Sequence, residues 1–296
     1  METTDKFAVF ILTHGRPDRV ITYNTLKKQG YTGDIYIVID NEDKTADQYK
    51  ERFGDKVIVF DKLDIANRFD TGDNFKDRRA VFFARNACFE IARGLGLDYF
   101  LQLDDDYRSF VHKFDATLRY HERYVLNLDR LFSLVLNYFK GIDAVTITLS
   151  QNGDFMGGSN STSVDTVRTK RKAMNVFFCK TSNPFEFVGR VNEDVNTYTS
   201  LGNRGNLLFY INNAAIIQPV TQSSSGGMSE LYLDQGTYIK SFYTVMYCPS
   251  FTKIYTMGHT HKRLHHRITW DNAVPCIIDE KHRRAGRYSE GTVNNG

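Results

Sequence analysis

The first half of the chain alternates continuous apolar runs with segments of helical composition. Five runs have the length of a strand, and they cover residues 7–12, 34–39, 56–60, 98–103 and 144–149. Two segments, 77–93 and about 126–140, have helical composition, and Pro17 stands where a first helix would start. Apolar runs without polar alternation are typical of strands that are buried on both faces. The pattern therefore predicts an α/β fold with a mostly parallel central sheet flanked by helices.

The second half of the chain is less regular. Residues 151–172 are rich in Gly, Ser, Asn and Thr, and they predict a long loop or an insertion. Residues 175–180 and 206–220 predict two further strands. Residues 236–246 carry apolar positions at helical spacing, and they predict a helix that ends before Pro249.

The composition is that of a soluble enzyme. Hydrophobic residues make up 41% of the 296 positions and charged residues 25%, which excludes wholesale disorder. Long functional loops on one sheet are typical of a single domain, so we expect residues 1–296 to form one domain with halves 1–150 and 151–296. The net charge of +3 is too small for a protein that coats polyanions. No apolar run approaches the length of about 18 residues that a membrane-spanning helix needs.

The cysteines and the start of the chain bear on the compartment. The four cysteines are scattered without a CxxC pair, which argues against a zinc finger and against a disulfide framework. Residues 1–5 are acidic and lack a hydrophobic signal segment. We therefore expect a reduced, cytoplasmic protein.

Three consecutive carboxylates, Asp104, Asp105 and Asp106, come directly after the fourth apolar run. Parallel sheets bind ligands at the carboxyl ends of their strands, where the turns containing Thr13 and Asp40 also lie. In an extended chain Asp104 and Asp106 would lie on the same side, and two such carboxylates repel each other unless a cation lies between them. The cluster therefore predicts a site for a hard divalent cation, with a solvated acidic turn as the alternative.

Three further groups of side chains carry candidate chemistry. Arg85 lies on an otherwise apolar predicted helix and needs an anionic partner, either a carboxylate of this chain or a bound diphosphate. Glu193 and Asp194 follow Asn192, which we interpret as an N-cap. They therefore either complement the helix dipole or take part in catalysis. Residues 258–267 hold four of the eight histidines, and this basic segment is either solvated or supplies a metal ligand.

The motifs follow one another in a characteristic order. They are Thr13-His14-Gly15-Arg16, Asp40, Arg85-Asn86, the Asp-x-Asp motif at 104–106 and Asn192-Glu193-Asp194. This order resembles a GT-A glycosyltransferase over roughly residues 7–266. More narrowly, the chain is similar to the phage and TET-associated glycosyltransferases, which glycosylate hydroxymethylated pyrimidines in DNA. The segments 225–228 through 240–243 and 249–254 carry this narrower likeness.

The resemblance implies a role for each candidate side chain. A nucleotide-sugar, expected to be a UDP-sugar, would contact residues of the half 1–150, namely Thr13, His14, Gly15, Arg16, Asp40, Arg85, Asp104 and Asp105. Asp40 would bind the base or the ribose, or else only stabilise its own turn. Mn²⁺ or Mg²⁺ would be bound by Asp106 with support from Asp104, and His259, with His261 as the alternative, would add a ligand. Asp194, or otherwise Glu193, would be the general base of an inverting transfer.

The narrower resemblance implies a hydroxymethylated pyrimidine in DNA as the acceptor, bound by the second half of the chain. The basic stretches 168–172 and 281–287, with Tyr288 nearby, would follow the phosphate backbone, or they form a solvated charged face. The Gly- and Ser-rich segments 157–159 and 223–227 would shape the acceptor pocket. If the protein is viral, its compartment would be the cytoplasm of an infected bacterium. The alternatives are a GT-A enzyme with a glycan, protein or small-molecule acceptor, a nucleotidyltransferase, and a non-catalytic nucleic-acid-binding module.

Overall fold

Strands form the scaffold of the protein. The structure is a computed structural model and describes residues 5–73, 76–117, 119–151, 167–168, 173–219, 236, 239–258 and 262–273. The strands are β1 (Phe7–Leu12), β2 (Asp34–Asp40), β3 (Val57–Phe60), β4 (Tyr99–Asp104), β5 (Ser109–Phe114), β6 (Tyr120–Tyr124), β7 (Thr146–Gln151), β8 (Val167–Arg168), β9 (Phe177–Lys180), β10 (Leu208–Ile217), β11 (Thr252–Met257) and β12 (Arg263–Ile268). The helices are α1 (Ile21–Lys28), α2 (Ala46–Phe53), α3 (Lys62–Arg68), α4 (Phe82–Gly94), α5 (Leu128–Lys140), α6 (Glu193–Asn203), α7 (Ile239–Tyr247) and α8 (Trp270–Ala273), with short 3-10 helices at Pro17–Arg19 and Gly54–Lys56.

One mixed sheet contains β1 to β10. Its order is β3-β2-β1-β4-β9-β7-β10-β5-β6, and β8 pairs with β10. β1 pairs in parallel with β2 and β4, and β2 pairs in parallel with β3. β9 lies antiparallel between β4 and β7, so the sheet continues from the first half of the chain into the second. The predicted α/β fold, with a parallel centre flanked by helices, is confirmed.

The central strands are buried on both faces. In β1, Val9 and Ile11 pack into one core with apolar residues of α1 and α5, whereas Ala8 and Phe10 pack into a second core with α4. Because side chains alternate across a strand, an unbroken apolar run fills both cores. The interpretation of the apolar runs as doubly covered strands is confirmed for the central strands, whereas β3 at the edge of the sheet leaves Val59 42% exposed.

The most displaced of the predicted boundaries in the first half is the start of α4. The helix expected over residues 77–93 begins only at Phe82. Asp77 accepts hydrogen bonds from the backbone and the guanidinium of Arg79, and it lies 3.7 Å from the guanidinium of Arg190. These contacts accompany a non-helical conformation of residues 77–80.

The predicted elements of the second half are present with displaced ends, as β9, β10 and α7. The predicted loop over 151–172 lies outside the described residues, except for Gln151 and β8. Within the described part of the chain, no helix is long and apolar enough to span a membrane.

Candidate active site

The parallel strands bring the predicted motifs to one edge of the sheet. Leu12 at the end of β1 pairs with Val38 of β2 and with Asp104 of β4, so the residues that follow these strands lie side by side. The turn after β1 begins with Thr13, and β2 ends at Asp40. This edge is where an α/β sheet binds its ligand.

The middle carboxylate of the Asp-x-Asp cluster fastens the turn after β1 to β4. Asp105 is 1% exposed. Its Oδ2 accepts a hydrogen bond from Thr13 Oγ1 at 2.5 Å, and its Oδ1 lies 2.9 Å from Nη2 of Arg16. The expected extended conformation through residue 106 is wrong, because β4 ends at Asp104 and the chain then turns. The turn still leaves Asp104 and Asp106 partly exposed while Asp105 is buried.

The two partly exposed carboxylates have the chemistry of a site for a hard cation. Burial and the negative charges of Asp104 and Asp105 raise the pKa of Asp106 to about 6. A bound divalent cation would relieve this repulsion, and carboxylate oxygens are the ligands that Mg²⁺ and Mn²⁺ prefer. Among the residues that the structure describes, no group of three or more His, Cys, Asp or Glu side chains could hold a metal ion. The predicted ligand His259 lies outside those residues.

At the end of β2, Asp40 is engaged by other groups of this chain. It is 4% exposed, and its Oδ2 lies 2.7 Å from Nδ1 of His14 and 3.3 Å from Nζ of Lys62. Its Oδ1 accepts a hydrogen bond from the backbone N–H of Glu42 at 3.1 Å. Burial alone would raise the pKa of Asp40, but His14 and Lys62 hold it below its usual value. The imidazole of His14, with a side chain 47% exposed, is the more accessible member of the pair.

A glycine allows the turn after β1 to fold towards Asp43. Gly15 has a φ of +67°, a left-handed conformation that favours glycine. Its backbone N–H donates a hydrogen bond to Oδ2 of Asp43 at 2.7 Å. The backbone N–H of Arg16 donates to the hydroxyl of Tyr49 at 2.8 Å. The turn is therefore held by contacts with β4 and with the segment after β2.

A buried arginine connects the Asp-x-Asp motif with α6. Arg85 is 1% exposed, and its Nη2 lies 3.0 Å from Oδ1 of Asp104 while its Nε lies 2.9 Å from Oε1 of Glu193. The rings of Phe177 and Phe187 lie 5.1 and 5.8 Å from the guanidinium carbon. Of the two anionic partners that the sequence left open, the structure shows carboxylates of this chain.

The start of α6 places two carboxylates in different environments. Glu193 is 6% exposed, and burial raises its pKa although Arg85 opposes the shift. Asp194 is partly exposed, and its Oδ1 accepts a hydrogen bond from the backbone N–H of Val195 at 2.8 Å. The more accessible of the two carboxylates is therefore Asp194.

Asn192 occupies the predicted N-cap position of α6, but its side chain does not cap the helix. Asn192 has a φ of +62°, and its side chain makes no capping hydrogen bond to α6. Its Nδ2 instead donates to Oγ1 of Thr244 in α7 at 2.5 Å. Its side chain thus ties α6 to α7 and does not cap the first turn of α6.

Two side chains near the strand ends were missed by the sequence analysis. Tyr49 of α2 is fully buried, and its hydroxyl lies 2.9 Å from Oγ1 of Thr13. Lys62 is 5% exposed beside Asp40. The aromatic Tyr49 looks like an ordinary core position in the sequence, and no sequence pattern distinguishes a buried lysine from a solvated one.

Several predicted acceptor contacts lie outside the described residues. They are the Gly- and Ser-rich segments 157–159 and 223–227, the basic residues 169–172 and 281–287, Tyr288, and His261.

Comparisons with known proteins give one family match. A family model described as TET-Associated Glycosyltransferase matches residues 7–227. No curated protein matches the sequence. The fold is similar to glucosyl-3-phosphoglycerate synthase from Mycobacterium tuberculosis in complex with Mn²⁺, UDP and phosphoglyceric acid, with 8% identity, a TM-score of 0.46, and coverage of 90% of this chain and 88% of that chain. It is also similar to S. aureus TarS 1-349, with 12% identity, a TM-score of 0.41, and coverage of 81% and 65%.

Proposed function

Because the chain belongs to the TET-associated glycosyltransferase family, we propose that it transfers a sugar from a UDP-sugar to the hydroxymethyl group of a modified pyrimidine in DNA. That the chain is a glycosyltransferase with a GT-A fold is the premise. The donor nucleotide, the acceptor and the metal are the proposed parts.

The observation that carries the proposal is the contact of Arg85 with both Asp104 and Glu193. Asp104 ends a strand at the ligand-binding edge of the sheet, and Glu193 opens α6. A donor bound at the strand ends would therefore lie close to the carboxylates that could deprotonate an acceptor. A glycosyltransferase needs these two functions side by side.

The donor would be bound at the turns after β1, β2 and β4. Asp106 and Asp104 would hold Mn²⁺ or Mg²⁺, with His259 as a further ligand, and the cation would neutralise the charge of the departing diphosphate. His14 and Arg16 would contact the nucleotide. Asp40 and Asp105 would act mainly by fixing these two side chains, because each is buried against one of them.

Asp194 would be the general base. Its carboxylate would take the proton of the acceptor hydroxyl while that oxygen attacks the anomeric carbon and the bond to the diphosphate breaks. Attack opposite the leaving group inverts the anomeric centre. The partial exposure of Asp194 supports this assignment over Glu193, which is buried against Arg85.

The proposal is tested by incubating the protein with hydroxymethylated duplex DNA and a panel of UDP-sugars, and by analysing the nucleosides by mass spectrometry. We expect one sugar on the hydroxymethyl nucleoside, β-linked when the donor is α-linked. Asp106→Ala should abolish transfer, and Asp194→Asn should lower kcat by a factor of about 10²–10⁴ with little change in nucleotide affinity.

Each outcome tests one part of the proposal. Transfer to a glycan, a protein or a free nucleoside, but not to DNA, would contradict the acceptor. Full activity of Asp106→Ala in the presence of a chelator would contradict the metal. An α-linked product together with a fast Asp194→Asn variant would indicate a retaining mechanism.

A further inference from the structure

A two-stranded ribbon, formed by β11 and β12, lies beyond the residues that the family model matches. The strands pair antiparallel, and we call residues 252–257 and 263–268 the β11–β12 ribbon. Lys253 lies opposite Arg267, and Tyr255 lies opposite His265, so these four residues share one face. We call this face the outer face.

One end of the opposite face packs on the protein. Thr252 is 2% exposed, and its partner Ile268 packs on a cluster formed by Cys248, Phe251 and Ala273. The ribbon is therefore anchored at the end where β11 begins and β12 ends.

The outer face combines positive charge with an aromatic ring. Residues 252–257 and 262–268 contain four Lys or Arg residues and no Asp or Glu. Lys253 and Arg267 on this face, and Lys262 directly before β12, are exposed, and none of the three forms an ion pair within the described part of the chain. Tyr255 is 37% exposed, and its ring lies 6.0 Å from that of His265. A nucleic acid, with its phosphate charges and aromatic bases, is the partner that complements such a surface.

The ribbon shares its support with the proposed general base. Trp270, two residues after β12, packs edge-on against Tyr198 of α6 with ring centroids 5.4 Å apart. Tyr198 lies four residues after Asp194, which is about 6 Å along the helix axis. α7 is hydrogen-bonded to α6 through Thr244 and Asn196 at 2.9 Å. A long ligand on the ribbon would therefore be held beside α6, the helix that carries the proposed general base.

We propose that the outer face of the β11–β12 ribbon, together with the adjacent Lys262, binds the phosphate backbone of the nucleic acid that carries the acceptor base. The proposal rests on the DNA acceptor proposed above and names the surface that holds it. Lysine and arginine bind backbone phosphates without reading sequence, so the ribbon supplies affinity and position and leaves the choice of base to the active site.

The test is the salt dependence of DNA binding. A fluorescein-labelled duplex with 5-hydroxymethylcytosine is titrated with wild type and with the triple variant Lys253→Gln, Lys262→Gln, Arg267→Gln over a range of salt concentrations. Each lost phosphate contact lowers the slope of log Kd against log salt by about 0.9, so the triple variant should lose about 2–3 from the slope. If its melting temperature falls, Lys253→Gln and Arg267→Gln alone should each lower the slope by about 1.

The matched control removes the same charge elsewhere. Lys27, Lys28 and Lys56 are exposed on other elements, and their triple replacement by Gln should leave the slope as in wild type. An equal loss in both triple variants would mean that only net charge matters, and this would overturn the proposal. An unchanged slope in the ribbon variant would also overturn it.

The binding test is independent of catalysis. If wild type glycosylates DNA and the ribbon variant keeps the wild-type salt slope, the ribbon proposal is overturned and the proposed function stands. Ribbon-dependent DNA binding without any sugar transfer to DNA would support the ribbon and contradict the proposed function.

Discussion

At the scale of single residues, His14 and Asp40 form a pair whose contribution to stability depends on pH. The hydrogen bond to Asp40 raises the pKa of His14 above 6.5. The stability that the raised pKa contributes is fully present below 6.5, and it is lost as the pH rises through the raised pKa. The lowered pKa of Asp40 gives a contribution that is present above 3.8 and is lost as the pH falls. The pair therefore stabilises the protein most between these two values. The effect is small because His14 is half exposed.

The pairing predicts an NMR titration. We expect the imidazole of His14 to titrate above 6.5 in wild type and to return towards 6.5 in Asp40→Asn, because the raised pKa depends on the carboxylate. His112 is the internal control: burial lowers its pKa, so it should titrate below 6.5 in both proteins. A wild-type His14 that titrates at its ordinary value would contradict the pairing.

A single functional residue could be recognised in the sequence more readily than the residue that it contacts. Asp104 and Asp106 were identifiable because they follow a buried strand. The partner of Arg85 was not, because Glu193 lies 108 positions away and periodicity does not show which helix start meets which strand end. Contacts of this kind depend on the order of the strands, which residue spacing does not encode.

At the scale of the elements, the helix that is capped by an asparagine is α5. Oδ1 of Asn127 accepts a hydrogen bond from the backbone N–H of Arg130 at 2.8 Å, and Asn192 makes no such bond to α6. We expect Asn127→Ala to lower the free energy of unfolding by about 1 kcal/mol and Asn127→Asp to restore it, as measured by urea denaturation. Asn192→Asp should not restore the stability lost in Asn192→Ala, because Asp lacks the N–H that donates to Thr244. Equal rescue by Asp at both positions would contradict the assignment.

Several of the elements that the sequence did not predict have a weak apolar signal. In α2 the only buried residue is Tyr49, and in α3 the buried residues are Lys62 and Ile65, so neither helix shows a clear apolar face. β6 is exposed at all five positions, and the only apolar residues of β12 are Leu264 and Ile268. The strands of the parallel centre were predictable because both of their faces are buried. Edge strands and two-stranded ribbons do not need to be buried on both faces.

At the scale of the whole molecule, β9 joins the two halves of the chain in one sheet. Residues of β9 pair with β4 on one side and with β7 on the other. We therefore predict that residues 1–150 and 151–296 unfold together as one domain. Calorimetry should give one transition with equal calorimetric and van't Hoff enthalpies.

A core substitution in β9 sharpens this prediction. Phe178 is fully buried, and Phe178→Ala should destabilise the protein by about 3–5 kcal/mol without splitting the transition. Two resolved transitions, with only one displaced by the substitution, would show that the halves are separate folding units.

The contact between Trp270 and Tyr198 gives the protein a built-in optical reporter. The chain contains a single tryptophan, and it lies where the ribbon meets α6, the helix that begins with Glu193 and Asp194. Its emission spectrum therefore originates from one known place, without background from a second indole. A ligand that shifts the ribbon against α6 would change the intensity or the wavelength of that emission, so unlabelled DNA and unlabelled donor could each be followed by titration. The effect of bound DNA on the affinity for the donor, and the reverse effect, could be measured in the same titration.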